Sequence, residues 1–320
     1  MRVFVTGATG VVGRRLVPLL VAAGHEVTAV ARRESSRRAL ERAGATPVLL
    51  DLFSPPAARA ALARHDAVVN LATHIPHTTL GVLFRRSWRE NDRIRSVASS
   101  VLVDAAVSAG AERFVQESFA PLYPDSGDAW IDETAPLQPV AYNRSVLDAE
   151  RSASRFAGNG RSAVVLRFAA FYGPDAFHVP GFIDSVKKGR IPLPGPPEAF
   201  VSFVSHDDAA TAAHAALSVP SGTYNVAEDD PLPRGEAFAW LARTVGVGPP
   251  APLPGWVSFL MGPIGALSSR SLRISNRRFR NDSVWRPRYP SVREGWPPTV
   301  LGLLPRPGAE PDAASGRNPT

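Results

Sequence analysis

The segment VFVTGATGVVG, Val3 to Gly13, constrains the fold more than any other stretch of this 320-residue chain. An apolar run of strand length ends at Thr6, and Gly7, Gly10 and Gly13 follow at three-residue intervals before a helix-length segment. The first glycine permits a tight turn, the second lets the backbone approach a pyrophosphate, and the third lets the helix pack closely on the strand. The positive end of the helix dipole then favours phosphate. We read this as a dinucleotide-binding turn, with Gly7, Thr9, Gly10, Val11 and Val12 against the ligand.

Strand-like and helix-like segments alternate through the first two-thirds of the chain. Val3–Thr6, Glu26–Val30, Pro47–Leu50, Ala67–Leu71, Arg113–Gln116 and Ala163–Phe168 are short apolar runs, and helix-length segments such as Asn91–Ala109 stand between several of them. Apolar runs without strict alternation suit strands covered on both faces. The pattern predicts an α/β fold, a doubly wound parallel sheet of Rossmann type. Pro18 lies inside the first predicted helix, where it should kink the helix or remove a hydrogen bond.

After Tyr172 the texture changes to Pro- and Gly-rich segments at Gly173–Pro197 and Asp230–Pro263. Between them, Ala199–Val204 and Gly222–Val226 look like strands returning to the sheet, with a helix around Asp208–Leu217. The expected organisation is a dinucleotide-binding domain over 1–172, rejoined by 199–228. A smaller discontinuous C-terminal substrate domain takes 173–198 and 229–303, and a polar tail, 304–320, is expected to be disordered.

The second strand discriminates between cofactors. An acid near its end would hold the ribose 2′-hydroxyl of NAD, whereas arginine accommodates the 2′-phosphate of NADP. Here Arg32 and Arg33 follow Val27–Ala31, and Glu34 comes only after them, so NADP is preferred over NAD.

The absence of cysteine excludes disulfide scaffolds, thiolate metal sites and thiol nucleophiles. No signal peptide is read at the N-terminus, and the expectation is a soluble cytoplasmic protein. The formal charge of +7 is carried by one segment: Arg270 to Arg293 holds eight arginines and one acid, Asp282. So local a cluster suits a solvated or substrate-facing patch, with an anionic small molecule as partner, better than nucleic acid. The longest uncharged stretch, Thr244–Ser269, contains five prolines and cannot form a continuous membrane-spanning helix; a flap over a pocket is expected, and no membrane partner.

With these residues in view, the chain resembles the extended short-chain dehydrogenase/reductase family, also called the NAD-dependent epimerase/dehydratase family, from about Arg2 to Trp296. TGATGVVG is similar to its TGxxGxxG. Asp51-Leu52 resembles the segment that meets the adenine, and Asn70-Leu71-Ala72 the one that lines the cofactor, with Leu71 and Ala72 as contacts. Phe171–Pro174 is similar to its VYGP, Phe203–Asp208 to its FVHVDD, Tyr224–Val226 to its YNV, and Trp285–Tyr289 to its WxPRY. The resemblance also implies a homodimer through the helices that include Asn91–Ala109 and Tyr142–Ala157.

The family's catalytic group is a tyrosine, a lysine four residues later, and a serine or threonine at the end of the fifth strand. Here Tyr142 is present, but Val146 occupies the lysine position and Phe119 falls where the hydroxyl residue stands, with Ser118 one place earlier. Glu117 ends the same predicted strand at the edge where α/β folds bind ligands, and a carboxylate in an apolar pocket can serve as acid or base. The candidate catalytic residues are Tyr142, Ser118 and Glu117, with Tyr142 also touching the cofactor. His74, Tyr123, Tyr172 and His178 are candidate substrate contacts. His74 and His77 lack a third ligand, so no metal is expected. Three functions stay open: NADP-dependent hydride transfer at a carbonyl or alcohol of a small organic substrate; a lyase, cyclase or isomerase using Glu117 and Tyr142; and a non-catalytic module sensing NADP.

Overall fold

The structure, a computed structural model, describes residues 1–76, 81, 84–158 and 160–304. Seven strands form the central sheet: β1 (Arg2–Thr6), β2 (Glu26–Ala31), β3 (Thr46–Leu49), β4 (Ala67–Asn70), β5 (Arg113–Phe119), β6 (Ser162–Phe168) and β7 (Gly222–Val226). Their order is β7-β6-β5-β4-β1-β2-β3, and every pairing is parallel. The order reverses between β1 and β4, which makes this a doubly wound sheet with its ligand crevice at the carboxyl ends of the strands.

Successive strand residues point to opposite faces, and both faces are apolar. Val3 and Val5 join a core with α1 (Gly13–Ala22), α2 (Glu34–Arg42) and a helix at His206–Ala215. Phe4, Val68 and Phe114 point the other way, against α3 (Pro55–Leu62), α4 (Ser99–Ser108) and α5 (Val146–Phe156). A third core, built around Tyr172, Phe203, Phe238 and Trp296, lies in the C-terminal part.

The single helix expected over Asn91–Ala109 is three pieces: Arg89–Arg93, a π-helical turn over Ile94–Ala98, and α4. Pro18 does lie inside α1, on an exposed position, so the carbonyl deprived of its N–H partner is on the solvent side. Of the two strands expected to return to the sheet, Gly222–Val226 does so as β7. Ala199–Val204 does not. Phe200–Val201 pairs antiparallel with Leu232–Pro233, and Phe203–Ser205 pairs with Ala170–Tyr172, away from the main sheet. The Glu228 carboxylate draws this segment toward the third core by accepting from the N–H groups of Phe203 (2.8 Å) and Val292 (2.7 Å). The expected C-terminal tail beyond Leu304 lies outside the described residues.

Two of the family-like segments hold each other. Ser205 caps the His206–Ala215 helix by accepting from Asp208 N at 2.9 Å, and Asp208 accepts from Arg288 N at 2.6 Å, while Trp285 Nε1 donates to Asp208 O. His206 is buried beside this junction. Burial, reinforced by the Arg15 charge, pushes its pKa down to about 4. Its contribution to stability is therefore complete above its ordinary value of about 6.5 and is lost as pH falls from there toward about 4, to a total of about 3 kcal/mol. Denaturant melts across that window should show the loss in the native chain and its absence in His206→Gln; equal losses in both would refute it.

Candidate active site

Because all seven strands run parallel, their carboxyl ends share one edge, and the expected ligand segments follow those ends. Gly7 adopts φ +65°, and a Cβ there would stand 2.3 Å from Leu71 O and 2.8 Å from Ala72 N. A Cβ at Gly13 would stand 2.2 Å from Gly7 O. The turn thus fits only glycine, for both its positive φ and its close contacts. Gly10 N donates to Gly7 O at 2.9 Å, which leaves Thr9 and Gly10 exposed at the mouth, Val11 half-buried and Val12 buried below. The carboxyl ends of β1, β4 and β5 are latched by buried side chains: Thr6 Oγ1 donates to Asn70 Oδ1 at 2.5 Å, and Asn70 Nδ2 donates to Gln116 Oε1 at 2.9 Å.

Arg32 and Arg33 are exposed beyond β2, and neither guanidinium has a partner among the described residues. Asp51 is exposed and accepts from Phe53 N at 3.0 Å; Leu52 is half-buried, and Arg93 stacks 3.6 Å over the Phe53 ring. A cradle closed to any Cβ and an exposed glycine at its mouth fit the pyrophosphate of a nicotinamide dinucleotide.

Tyr142 lies in a run of turns that leads into α5, so it and Val146 are not on one regular helical face. Its ring packs 5.0 Å from that of Trp88, and Ser145 Oγ donates to Asp92 Oδ1 at 2.6 Å, which docks the turn onto the segment preceding α4. Its hydroxyl has no hydrogen-bond partner among the described residues. Burial pushes the phenol pKa up, against the opposing charges of Arg270 and Arg95. Arg270 reaches this place by donating from Nη1 to Tyr123 O (2.8 Å) and Gln138 O (2.9 Å). Val146 is fully buried in the core.

The other catalytic candidates are placed differently. Ser118 is fully buried and donates to Glu150 Oε1 at 2.5 Å, so its hydroxyl is engaged inside the protein and not presented to a substrate. Half-buried Phe119 follows it. Glu117 is buried against Arg95, whose Nη2 lies 3.0 Å from its Oε1. Tyr123 is also fully buried: its hydroxyl receives a bond from Arg167 Nη1 at 2.9 Å and donates to Asn225 Oδ1 at 2.8 Å. Tyr172 is enclosed in the third core against Trp296 and Phe203. Neither tyrosine lines an open pocket as expected, because the packing surrounds both rings. His178 is half-buried, with Nε2 3.0 Å from Phe171 O. His74 is exposed and its backbone N–H donates to Asn91 Oδ1, whereas His77 lies outside the described residues.

The arginine cluster does not form one face. Arg273 stacks on Trp130 and Phe200, Arg278 on Tyr224, Arg280 pairs with Asp229, and Arg293 with Asp230 and Glu236. What sequence reasoning missed is Arg95, one of several charged residues between Arg89 and Arg95, with no spacing signal to mark its burial beside Glu117. Among the described residues no group of three His, Asp or Glu side chains could hold a metal, and no helix is long and apolar enough to cross a membrane.

A doubly wound parallel sheet, a glycine turn closed to any side chain, and a tyrosine near its carboxyl edge define a dinucleotide-binding enzyme of the α/β class. Residues 3–227 match the model of the NAD dependent epimerase/dehydratase family, and the chain belongs to that family. A 3-diazoavenalumate denitrifying reductase from a Streptomyces species is 33% identical over 313 residues, covering 92% of this chain and 99% of that protein. A 2-alkyl-3-oxoalkanoate reductase from Shewanella oneidensis is 26% identical over 299 residues, 86% of this chain and 73% of the other. The solved structure of MoeE5 in complex with UDP-glucuronic acid and NAD is 26% identical, with a TM-score of 0.75 over 94% of this chain and 98% of that one. The chain is an NAD(P)-dependent enzyme of the oxidoreductase or epimerase type.

Proposed function

We propose that this protein is an NADPH-dependent reductase of a small organic acceptor, with Tyr142 as the proton donor. The observation that carries the reading is the Tyr142 hydroxyl, which has no hydrogen-bond partner among the described residues. It stands on a turn packed against Trp88, with burial favouring its protonated form and the charges of Arg270 and Arg95 opposing that shift. A phenol so held is a poor base but a competent acid toward an alkoxide, which is the stronger base. Reduction is therefore the favoured direction. The nicotinamide, when bound, supplies hydride to the acceptor carbon. Tyr142 gives its proton to the acceptor oxygen, and Arg270 and Arg95 hold the resulting negative charge on the phenolate. Gly7, Gly10 and Thr9 would cradle the pyrophosphate, and Arg32 and Arg33 would read the 2′-phosphate.

That last assignment is tested by calorimetric titration with NADPH and NADH. NADPH is expected to bind about 10- to 100-fold more tightly, the worth of one or two charge-assisted hydrogen bonds. Replacing Arg32 and Arg33 together by alanine should bring the two affinities together. Equal affinities in the native chain would sink the assignment.

A second reading is favoured by Val146 and Phe119 standing where the family resemblance places a lysine and a hydroxyl. A diazonium group accepts hydride at its terminal nitrogen and then leaves as dinitrogen, the hydrogen passing to carbon, so no acid is needed. The 33% identical relative is a denitrifying reductase of a diazo compound. Comparing carbonyl and diazonium acceptors in Tyr142→Phe separates the two readings.

A further inference from the structure

Arg95 and Glu117 form an ion pair inside the protein, at 4% and 7% exposure, between the π-helical turn and the carboxyl end of β5. The pair is incompletely satisfied: Arg95 Nε and Glu117 Oε2 are both buried without a hydrogen-bond partner among the described residues. Desolvating two charges is costly, and a pair with unmet hydrogen-bonding groups is often no better than apolar side chains of the same volume. Core stability alone thus gives little reason to keep it. Its position supplies another. Trp88 and Asp92, on the segment that leads into the turn carrying Arg95, are the residues that hold the Tyr142 ring and Ser145. The π-helical turn adds one residue to the local winding, a feature frequent at functional sites.

We propose that Arg95 is a positioning residue, clamped by Glu117 so that its guanidinium stabilises negative charge on the Tyr142 oxygen. Glu117 then acts through Arg95 and is not itself the acid or base. Through Trp88 and Asp92 the segment that carries Arg95 packs on the turn of Tyr142, and the charges of Arg270 and Arg95 both oppose the upward shift that burial gives the phenol. Arg270 donates to two backbone carbonyls, whereas Arg95 is held by a carboxylate. This inference deepens the assignment of Tyr142 as proton donor and rests on it for its consequence in turnover.

The test reads ionisation directly. With 3,5-difluorotyrosine installed at position 142 of the full chain, whose phenol ionises at lower pH than tyrosine, fluorine NMR follows the titration of that one residue. Removing the pair as Arg95→Met with Glu117→Leu, which leaves no lone buried charge, is expected to make the phenol at least about tenfold harder to ionise, one pKa unit. Arg95→Lys should restore most of the difference, and Arg270→Met measures the contribution from the opposite side. An unchanged titration in the folded double variant overturns the inference. If that variant does not fold, Arg95→Lys against Arg95→Gln makes the same comparison, and equal titrations there overturn it. Because no turnover is involved, failure here is distinguishable from failure of the proposed function, which Tyr142→Phe decides.

Discussion

Replacing Tyr142 by phenylalanine is expected to lower NADPH-dependent reduction of a carbonyl acceptor by about a hundred- to ten-thousand-fold, the usual contribution of one positioned acid. The substitution removes a single oxygen atom that has no hydrogen-bond partner among the described residues, so the ring contact with Trp88 and the docking of Ser145 on Asp92 should persist. NADPH affinity should therefore hold, and the loss should fall on kcat more than on KM. Reduction of a diazonium acceptor, which needs no proton from the protein, should change little. Steady-state rates with both acceptors, alongside calorimetric NADPH binding, check all of this. Full carbonyl turnover in Tyr142→Phe would remove the residue from the mechanism. Loss of both activities with binding intact would mean that the hydroxyl orients the acceptor in either reaction.

The largest stability effect is expected at Arg167. Its guanidinium lies on β6 and makes two bonds to Glu150, at 2.8 and 2.7 Å, and a third to the Tyr123 hydroxyl. Glu150 also receives the Ser118 hydroxyl, and Tyr123 passes the network to Asn225 on β7. Burial by itself lowers the Arg167 pKa, and the Glu150 carboxylate more than reverses that. Arg167→Met leaves the Glu150 carboxylate enclosed without a cation, and the expected cost is about 3–5 kcal/mol. Removing both partners, as Arg167→Met with Glu150→Leu, should recover most of it, because no isolated charge then stays inside. Denaturant unfolding of the two single variants and the double variant gives the coupling directly. Additive losses would show that the pair does not act as a unit. Since Glu150 lies one turn into α5, the single variants should also loosen the turn that presents Tyr142.

Much of the fold was legible in sequence because its signals are local. All six expected strands of the first two-thirds, and Gly222–Val226 later, needed only their apolar run and the turn residues around it; even Thr46–Leu49, with Pro47 inside, was shifted by a single residue. Ala199–Val204 misled because an apolar run states that a strand is buried, not which sheet it joins. The Glu228 carboxylate and the third core decided that. Ser118, Tyr123 and Tyr172 misled in a related way. A hydroxyl in a motif reads as reactive, yet each of these is enclosed by elements distant in sequence, and two of them are engaged in a buried network.

The sequence by itself determined the dinucleotide turn, the doubly wound order it begins, and the departures from the family pattern at Phe119 and Val146. These depend on which atoms a residue has, or lacks, at a given spacing: a glycine without Cβ, a valine without charge. Only the tertiary structure decided what surrounds Tyr142. Arg95 meets Glu117 across 22 residues, and Arg270 comes to the same phenol from the C-terminal part. Charge acts through space and through the local dielectric, so packing that brings distant segments together, and removes water from between them, sets the chemistry of that oxygen.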